Sequence, residues 1–106
     1  MRFVLPALLL AATALLSPAH AQIVPGDPAA GLEIARTWCA NCHVVDTKPT
    51  RAGDAVPSFP TIAAMKSTTA LSLQAFLTTP HGGMPNFQLS RGQVDDAVAY
   101  ILTLKK

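Results

Sequence analysis

Two cysteines and a histidine stand close together in the sequence and can carry chemistry as a unit. They form Cys39-Ala40-Asn41-Cys42-His43, which contains both cysteines of the chain. Two thiols three residues apart lie on one side of a helical turn, where each can add to a vinyl group of a haem and form a thioether. C-x-x-C-H is the attachment motif of c-type haem. The sequence therefore predicts one haem c bound covalently by Cys39 and Cys42, with His43 as its proximal axial ligand.

A redox-active disulfide and a zinc site are the alternative interpretations of the cysteine pair. A thioredoxin-like pair is expected near a βαβ pattern, and the sequence has none. A structural zinc ion takes four ligands, but the two histidines after residue 21 do not have the spacing of a zinc finger.

Residues 80–87, Pro-His-Gly-Gly-Met-Pro-Asn-Phe, form a second stretch that contains possible ligands for iron. Its two glycines and two prolines disfavour regular structure and let the backbone approach a flat ligand closely. A methionine thioether is a soft ligand for haem iron, so Met84 is predicted to be the distal axial ligand. His81 is the competing ligand. Met65, on a helical segment, is interpreted as a gap-filling core residue.

Residues 1–21 have the pattern of a secretory signal peptide. Arg2 supplies the positive charge, residues 3–16 are almost entirely apolar, and Ala19-His20-Ala21 is a small-x-small cleavage site. An uncleaved membrane anchor is the alternative, but the apolar stretch is shorter than the roughly 18 to 20 residues that span a bilayer. We expect cleavage after Ala21 and export to the periplasm.

Charge and size limit the function of the remaining chain. Removing Arg2 with the signal leaves seven basic and six acidic side chains, without a basic stripe, so no nucleic-acid partner is expected. Residues 22–26 are interpreted as a short leader and residues 27–106 as one domain. A domain of this size often needs stabilisation beyond its apolar core, such as a cross-link or a bound group, and a covalent haem would provide it.

The first helix is predicted to run from about Pro28 into the cysteine motif, with Asp27 as its N-cap. Gly31 inside this helix costs about 1 kcal/mol relative to alanine. Either another element packs closely against Gly31 or the glycine is merely tolerated. Five residues fall near one face at helical spacing: Gly31, Ala35, Trp38, Cys39 and Cys42.

Residues 44–60 contain several prolines and no periodicity, which predicts an irregular loop that covers the His43 side of the haem. Two helices are expected after it, at about residues 60–65 and 70–78, the second capped by Thr69. The predicted inward face of that second helix consists of Leu73, Phe76 and Leu77.

The last helix begins at a capping box, Ser90-x-x-Gln93. Tyr100 is expected at the edge of its apolar face, with the ring packed and the hydroxyl in water. Asp95 and Asp96 are expected on a solvated face. The apolar stripe consists of Val94, Ala97, Val98, Ile101 and Leu104.

Over nearly all of residues 27–104 the sequence resembles a class I cytochrome c, specifically a short bacterial one. Gly31 stands eight residues before Cys39, like the glycine of the family's first helix, and Met84-Pro85 matches its distal loop. The resemblance implies an all-α fold of three to five helices packed around one covalent haem.

The resemblance also implies contacts between the terminal helices. Tyr100, in the segment Val98-Ala99-Tyr100-Ile101, should meet Gly31 where these helices cross. The family normally has phenylalanine four residues after the glycine, but this sequence has Ala35. Trp38 is the candidate for the missing aromatic residue.

In the family, a proline carbonyl accepts a hydrogen bond from the ligand histidine. Pro57 is the preferred candidate here, and Pro49 and Pro60 are the alternatives. The residues expected to pack against the haem are Trp38, Pro57, Pro85 and Phe87.

The implied function is that of a monomeric periplasmic one-electron carrier rather than an enzyme. Its iron would cycle between Fe2+ and Fe3+, with redox proteins as donor and acceptor and with the membrane reached only through partner complexes. A haem subunit permanently docked in a larger dehydrogenase, or a haem-based sensor with a labile Met84, is the alternative. The expected docking face consists of Val44, Pro80, Gly82, Gly83 and Pro85.

Overall fold

The computed structural model describes residues 23–47, 56–79 and 83–106, and within these ranges the chain contains four α-helices and no strand. This confirms the predicted all-α class. The predicted signal peptide lies outside the described residues. None of the helices in the described ranges has the length and apolar character needed to cross a bilayer. The helices are α1 (Pro28–Ile34), α2 (Phe59–Ala64), α3 (Ala70–Thr78) and α4 (Arg91–Thr103).

Helix α1 starts as predicted and then widens. Asp27 is its N-cap, and the Asp27 side chain accepts a hydrogen bond from the amide of Ala29 at 2.9 Å. A π-helical turn, Ala35–Cys39, continues the helix. Its larger number of residues per turn is visible in the hydrogen bond from the Ala40 amide to the Ala35 carbonyl, which spans five residues at 3.0 Å.

The π turn decides which side chains face the core. An α-helix rotates by about 100° per residue, so one extra residue in the turn rotates everything after it by about that angle. Ala35, where the turn begins, keeps the face of Gly31 and is buried, Cys39 at its end is buried as well, and Trp38 is 46% exposed. The expectation that Trp38 replaces the missing aromatic residue at the helix crossing is therefore wrong, and Ala35, with no exposed surface, occupies the core there.

Helices α1 and α4 cross in direct backbone contact. A Cβ atom on Gly31 would overlap the carbonyl oxygen of Asp96 and lie 2.8 Å from Cβ of Tyr100. Gly31 is thus required by close packing, and Tyr100 meets it as the resemblance implied. Asp96 also accepts a hydrogen bond from the amide of Asp27 at 2.7 Å, so this partly exposed carboxylate connects α4 to the start of α1.

Helix α3 has the predicted bounds and a reciprocal cap. The Thr69 hydroxyl accepts from the Ser72 amide at 3.0 Å, and the Ser72 hydroxyl accepts from the Thr69 amide at 2.9 Å. Leu73 is buried, but Phe76 is 54% exposed, so the prediction that Phe76 faces inward is wrong.

Helix α4 is the centre of the core. Its predicted capping box is present, because Ser90 and Gln93 each accept a hydrogen bond from the other's amide. Asp95, which was also expected in solvent, accepts a hydrogen bond from the side-chain amide of Gln74 on α3 at 2.8 Å. The buried residues of α4 are Val94, Ala97, Val98, Ala99, Tyr100 and Ile101.

Candidate functional site

The cysteine motif forms a tight turn at the end of the π-helical segment. The amides of Cys42 and His43 both donate to the carbonyl of Cys39, at 3.1 and 2.9 Å. The two cysteines form no disulfide, and Cys39 is buried while Cys42 is exposed. One turn therefore presents two thiols at different depths, one in the core and one at the surface.

Cys39 does not have the environment of a reactive cysteine. Burial raises the pKa of its thiol above the ordinary value, so Cys39 is not the activated nucleophile that a redox pair needs. For the zinc alternative, the described residues contain no cluster of three or more histidine, cysteine, aspartate or glutamate side chains.

The His43 ring is oriented by a hydrogen bond to the backbone. Its Nδ1 lies 2.6 Å from the carbonyl oxygen of Pro57. A carbonyl oxygen only accepts hydrogen bonds, so Nδ1 carries a proton, and Nε2 is the ring nitrogen left to bind a metal. This is the contact expected of Pro57. Of its alternatives, Pro60 belongs to α2, and Pro49 lies outside the described residues.

The chain after His43 is fastened to two helices. The Phe59 ring lies 5.4 Å from the His43 ring, and the Phe59 amide donates to the carbonyl of Val44 at 2.9 Å. The Tyr100 hydroxyl donates to the carbonyl of Val45 at 2.5 Å. The prediction that this hydroxyl stays in water is therefore wrong, because a buried tyrosine hydroxyl needs a partner and finds one beside the histidine.

The predicted distal stretch is described from Gly83 onward, so His81 lies outside the described residues. Gly83 has φ +81°, which favours glycine, and the half-buried Met84 follows it. Met65 is 45% exposed at the end of α2, so its interpretation as a core residue is wrong.

Two aromatic rings lie between the cysteine turn and the Met84 segment. The rings of Trp38 and Phe87 are 5.7 Å apart at an interplanar angle of 45°. They are 46% and 38% exposed, and Pro85 nearby in sequence is exposed as well. Neither ring belongs to the packed core, although large apolar side chains gain free energy by burial.

These residues fit haem c by the chemistry of their donor atoms. Two thiols on one turn match covalent attachment, an imidazole whose Nδ1 is held by a carbonyl matches an axial ligand through Nε2, and the Met84 thioether is a soft ligand for the second axial position. The uncovered rings of Trp38 and Phe87 supply apolar surface for a flat, largely apolar group.

Comparison with known proteins gives the family. A family described as "Cytochrome C oxidase, cbb3-type, subunit III" matches residues 26–101. Cytochrome c-552 of Bradyrhizobium diazoefficiens is 40% identical over 79 residues, which cover 74% of this chain and 76% of that protein.

The chain is a class I cytochrome c. Haem c with its iron is therefore the cofactor, and the cytochrome is an electron-transfer protein. No solved structure matches it.

The family match begins at Gly26, inside the predicted leader. Gly26, at φ +105°, approaches α4 so closely that a Cβ there would overlap the backbone of Asp95, and Val24 packs against the core.

Proposed function

We propose that this cytochrome is a periplasmic carrier of single electrons between redox proteins. Cys39 and Cys42 hold one haem c through thioethers, and His43 and Met84 are the axial ligands of its iron. The observation that carries the proposal is the hydrogen bond from His43 Nδ1 to the carbonyl of Pro57, since it presents Nε2 of a histidine directly after the two thiols. Bound haem c supplies an iron that alternates between the ferrous and ferric states.

The residues around His43 suit a carrier because they are fixed before electron transfer. The Pro57 carbonyl sets the tautomer and orientation of the ring, and such outer contacts also increase the basicity of the ligand. Phe59 and Tyr100 fasten the following residues to α2 and α4. A ligand that cannot reorient keeps nearly one geometry in both oxidation states.

Ligation of the haem iron by Met84 as well as by His43 would have two consequences for the activity. A Met/His pair raises the reduction potential of haem, and a second protein ligand leaves no coordination position for a substrate. The function is therefore electron transfer rather than catalysis, with a donor and an acceptor protein as partners and with residues 1–21 directing export.

A permanently docked haem subunit is the second candidate, because the matching family is described as subunit III of an oxidase. The similarity to cytochrome c-552, which is named as a cytochrome and not as a subunit, extends over about three quarters of both chains and favours the carrier. Gel filtration of native periplasmic extract distinguishes the two. We expect the haem absorbance to elute at the size of a monomer, and elution with a large complex would favour the subunit.

The proposal is tested on the purified holoprotein by mass spectrometry and optical spectroscopy. We expect the mass of the chain from Gln22 onward plus one haem, and a haem that stays with the protein in acid acetone. The ferrous spectrum should not change under carbon monoxide if Met84 occupies the sixth position; a rapid change would favour the sensor alternative. Cys39→Ala and Cys42→Ala should each strongly reduce accumulation of the protein. Haem released into the organic phase would contradict covalent attachment.

A further inference from the structure

The contact between Trp38 and Phe87 joins the two segments that carry the proposed haem ligands. Trp38 directly precedes Cys39, and Phe87 follows Met84 by three residues. Their ring centroids are 5.7 Å apart. The pair therefore connects the cysteine turn to the Met84 loop, a name used here for residues 83–89.

On the helix side, this contact depends on the π turn. In a regular α-helix, Trp38 would lie above Gly31, seven residues earlier, and would face α4. The π turn rotates Trp38 out of that crossing, so its ring lies at the surface and faces Phe87.

On the loop side, the contact depends on an unusual backbone conformation. Gln88 has φ +50°, a region that residues other than glycine rarely adopt. The amide of Gln88 donates to the side-chain oxygen of Asn86 at 2.9 Å, which closes a short turn around Phe87. Such a conformation persists only where surrounding contacts enforce it, and the Phe87 ring packed on Trp38 lies directly beside this turn.

We propose that Trp38 and Phe87 form an aromatic latch that closes the Met84 loop onto the cysteine turn and thereby holds Met84 at the iron. Both are positioning residues for Met84, in addition to the apolar surface that they offer the haem. The inference rests on the proposed ligation by Met84. The ferric state should be the sensitive one, since a soft thioether binds ferric iron more weakly than ferrous iron.

The latch is tested on ferric holoprotein with Trp38→Leu, Phe87→Leu and the double variant. Trp38→Phe keeps an aromatic ring at the same position. Leu71→Ala is the control, because it removes an exposed apolar side chain away from the aromatic pair, on α3. Two signals are measured: the pH at which the weak sulfur-to-iron absorption is lost, and the amide hydrogen exchange of residues 83–89.

An aromatic pair contributes enough free energy to change an opening equilibrium by about three- to tenfold. In each leucine variant we therefore expect the absorption to be lost at a pH about 0.5 to 1 unit lower than in the wild type. The amide hydrogens of residues 83–89 should exchange about three- to tenfold faster. The double variant should add little, because each single change already removes the contact. Trp38→Phe and Leu71→Ala should resemble the wild type.

The latch would be overturned if the leucine variants lost the absorption at the wild-type pH and kept the wild-type exchange rates. That result would leave the haem assignment intact. Effects of the two leucine changes that add fully in the double variant would overturn it as well. Absence of the absorption from the wild type itself would overturn the Met84 assignment, and the latch with it.

Discussion

The Tyr100 hydroxyl on α4 donates a hydrogen bond to the carbonyl of Val45, two residues after the proposed iron ligand His43. The Cβ atom of Tyr100 lies against Gly31, eight residues before Cys39. One residue of α4 therefore touches the chain on both sides of the cysteine motif. The position of the motif relative to the core depends on this helix.

Replacing Tyr100 by phenylalanine removes the hydroxyl and leaves the ring. Val45 is only 3% exposed, so its carbonyl would lose its partner in a buried position. We expect the free energy of unfolding at neutral pH to fall by about 1 to 3 kcal/mol. Denaturant titration of wild type and Tyr100→Phe measures the difference, and equal stabilities would contradict a buried hydrogen bond.

The same variant tests the pH dependence of stability. Burial, and secondarily the Asp46 carboxylate, raise the pKa of Tyr100 above its ordinary value of 10.0, although the Arg36 guanidinium lowers it in part. Because the folded-state pKa exceeds the unfolded one, this stabilisation is complete below the unfolded pKa and is lost as the pH rises through the folded pKa. The stability difference between wild type and Tyr100→Phe should therefore narrow from about pH 10 upward. A constant difference would contradict the raised pKa.

The crossing of α1 and α4 predicts opposite effects for two glycine-to-alanine changes. Gly31→Ala places a Cβ against the Asp96 backbone and should destabilise the fold by about 1 to 3 kcal/mol through overpacking. Gly92→Ala is the matched control in α4, where a Cβ meets nothing within 4 Å. It should stabilise the helix by up to about 1 kcal/mol. Thermal unfolding compares both with the wild type, and a neutral Gly31→Ala would argue against the close crossing.

The two methionines after the cysteine motif should respond differently to truncation. Met84→Ala is expected to lower the reduction potential and remove the weak sulfur-to-iron absorption of the ferric protein, since it removes the proposed soft ligand. Met65→Ala, at a 45% exposed position, should keep that absorption. The reverse result would disprove the ligand assignment, and a spectrum changed by His81→Ala would indicate ligation by two histidines.

Electron transfer to the physiological partner should depend weakly on ionic strength. The chain without its predicted signal has only one more basic than acidic side chain, and strong steering needs a concentrated charge. Stopped-flow rates between about 10 and 300 mM salt cover Debye lengths from about 30 Å to well below 10 Å. A fall of more than about tenfold would instead indicate dominant local charges, such as Lys48 and Arg51 in the loop.

Local signals in the sequence predicted the parts of the fold that depend on neighbouring residues. Asp27, Thr69 and Ser90 are helix caps because their side chains bond to amides two or three residues away. The three helix starts could therefore be predicted without knowledge of the tertiary structure.

The wrong predictions concern side chains whose surroundings are set by distant segments. The partner of the Tyr100 hydroxyl is 55 residues away, and no local pattern identifies it. Trp38 was expected at the helix crossing because a regular α-helix was assumed, and one π turn changes the register of the whole motif. Asp96 is partly exposed, but its bond to the start of α1 has no local signal either, because the partner amide, that of Asp27, is 69 residues distant.

These long separations have a consequence for the newly made chain. The cysteine motif is synthesised before α4, yet α4 supplies the partners of Gly31, Val45 and the start of α1. Contacts across so many residues form only after large loops close, so the growing chain has no completed core around its thiols. Cys39, which the finished fold buries, is therefore accessible to covalent modification as long as these long-range contacts have not formed.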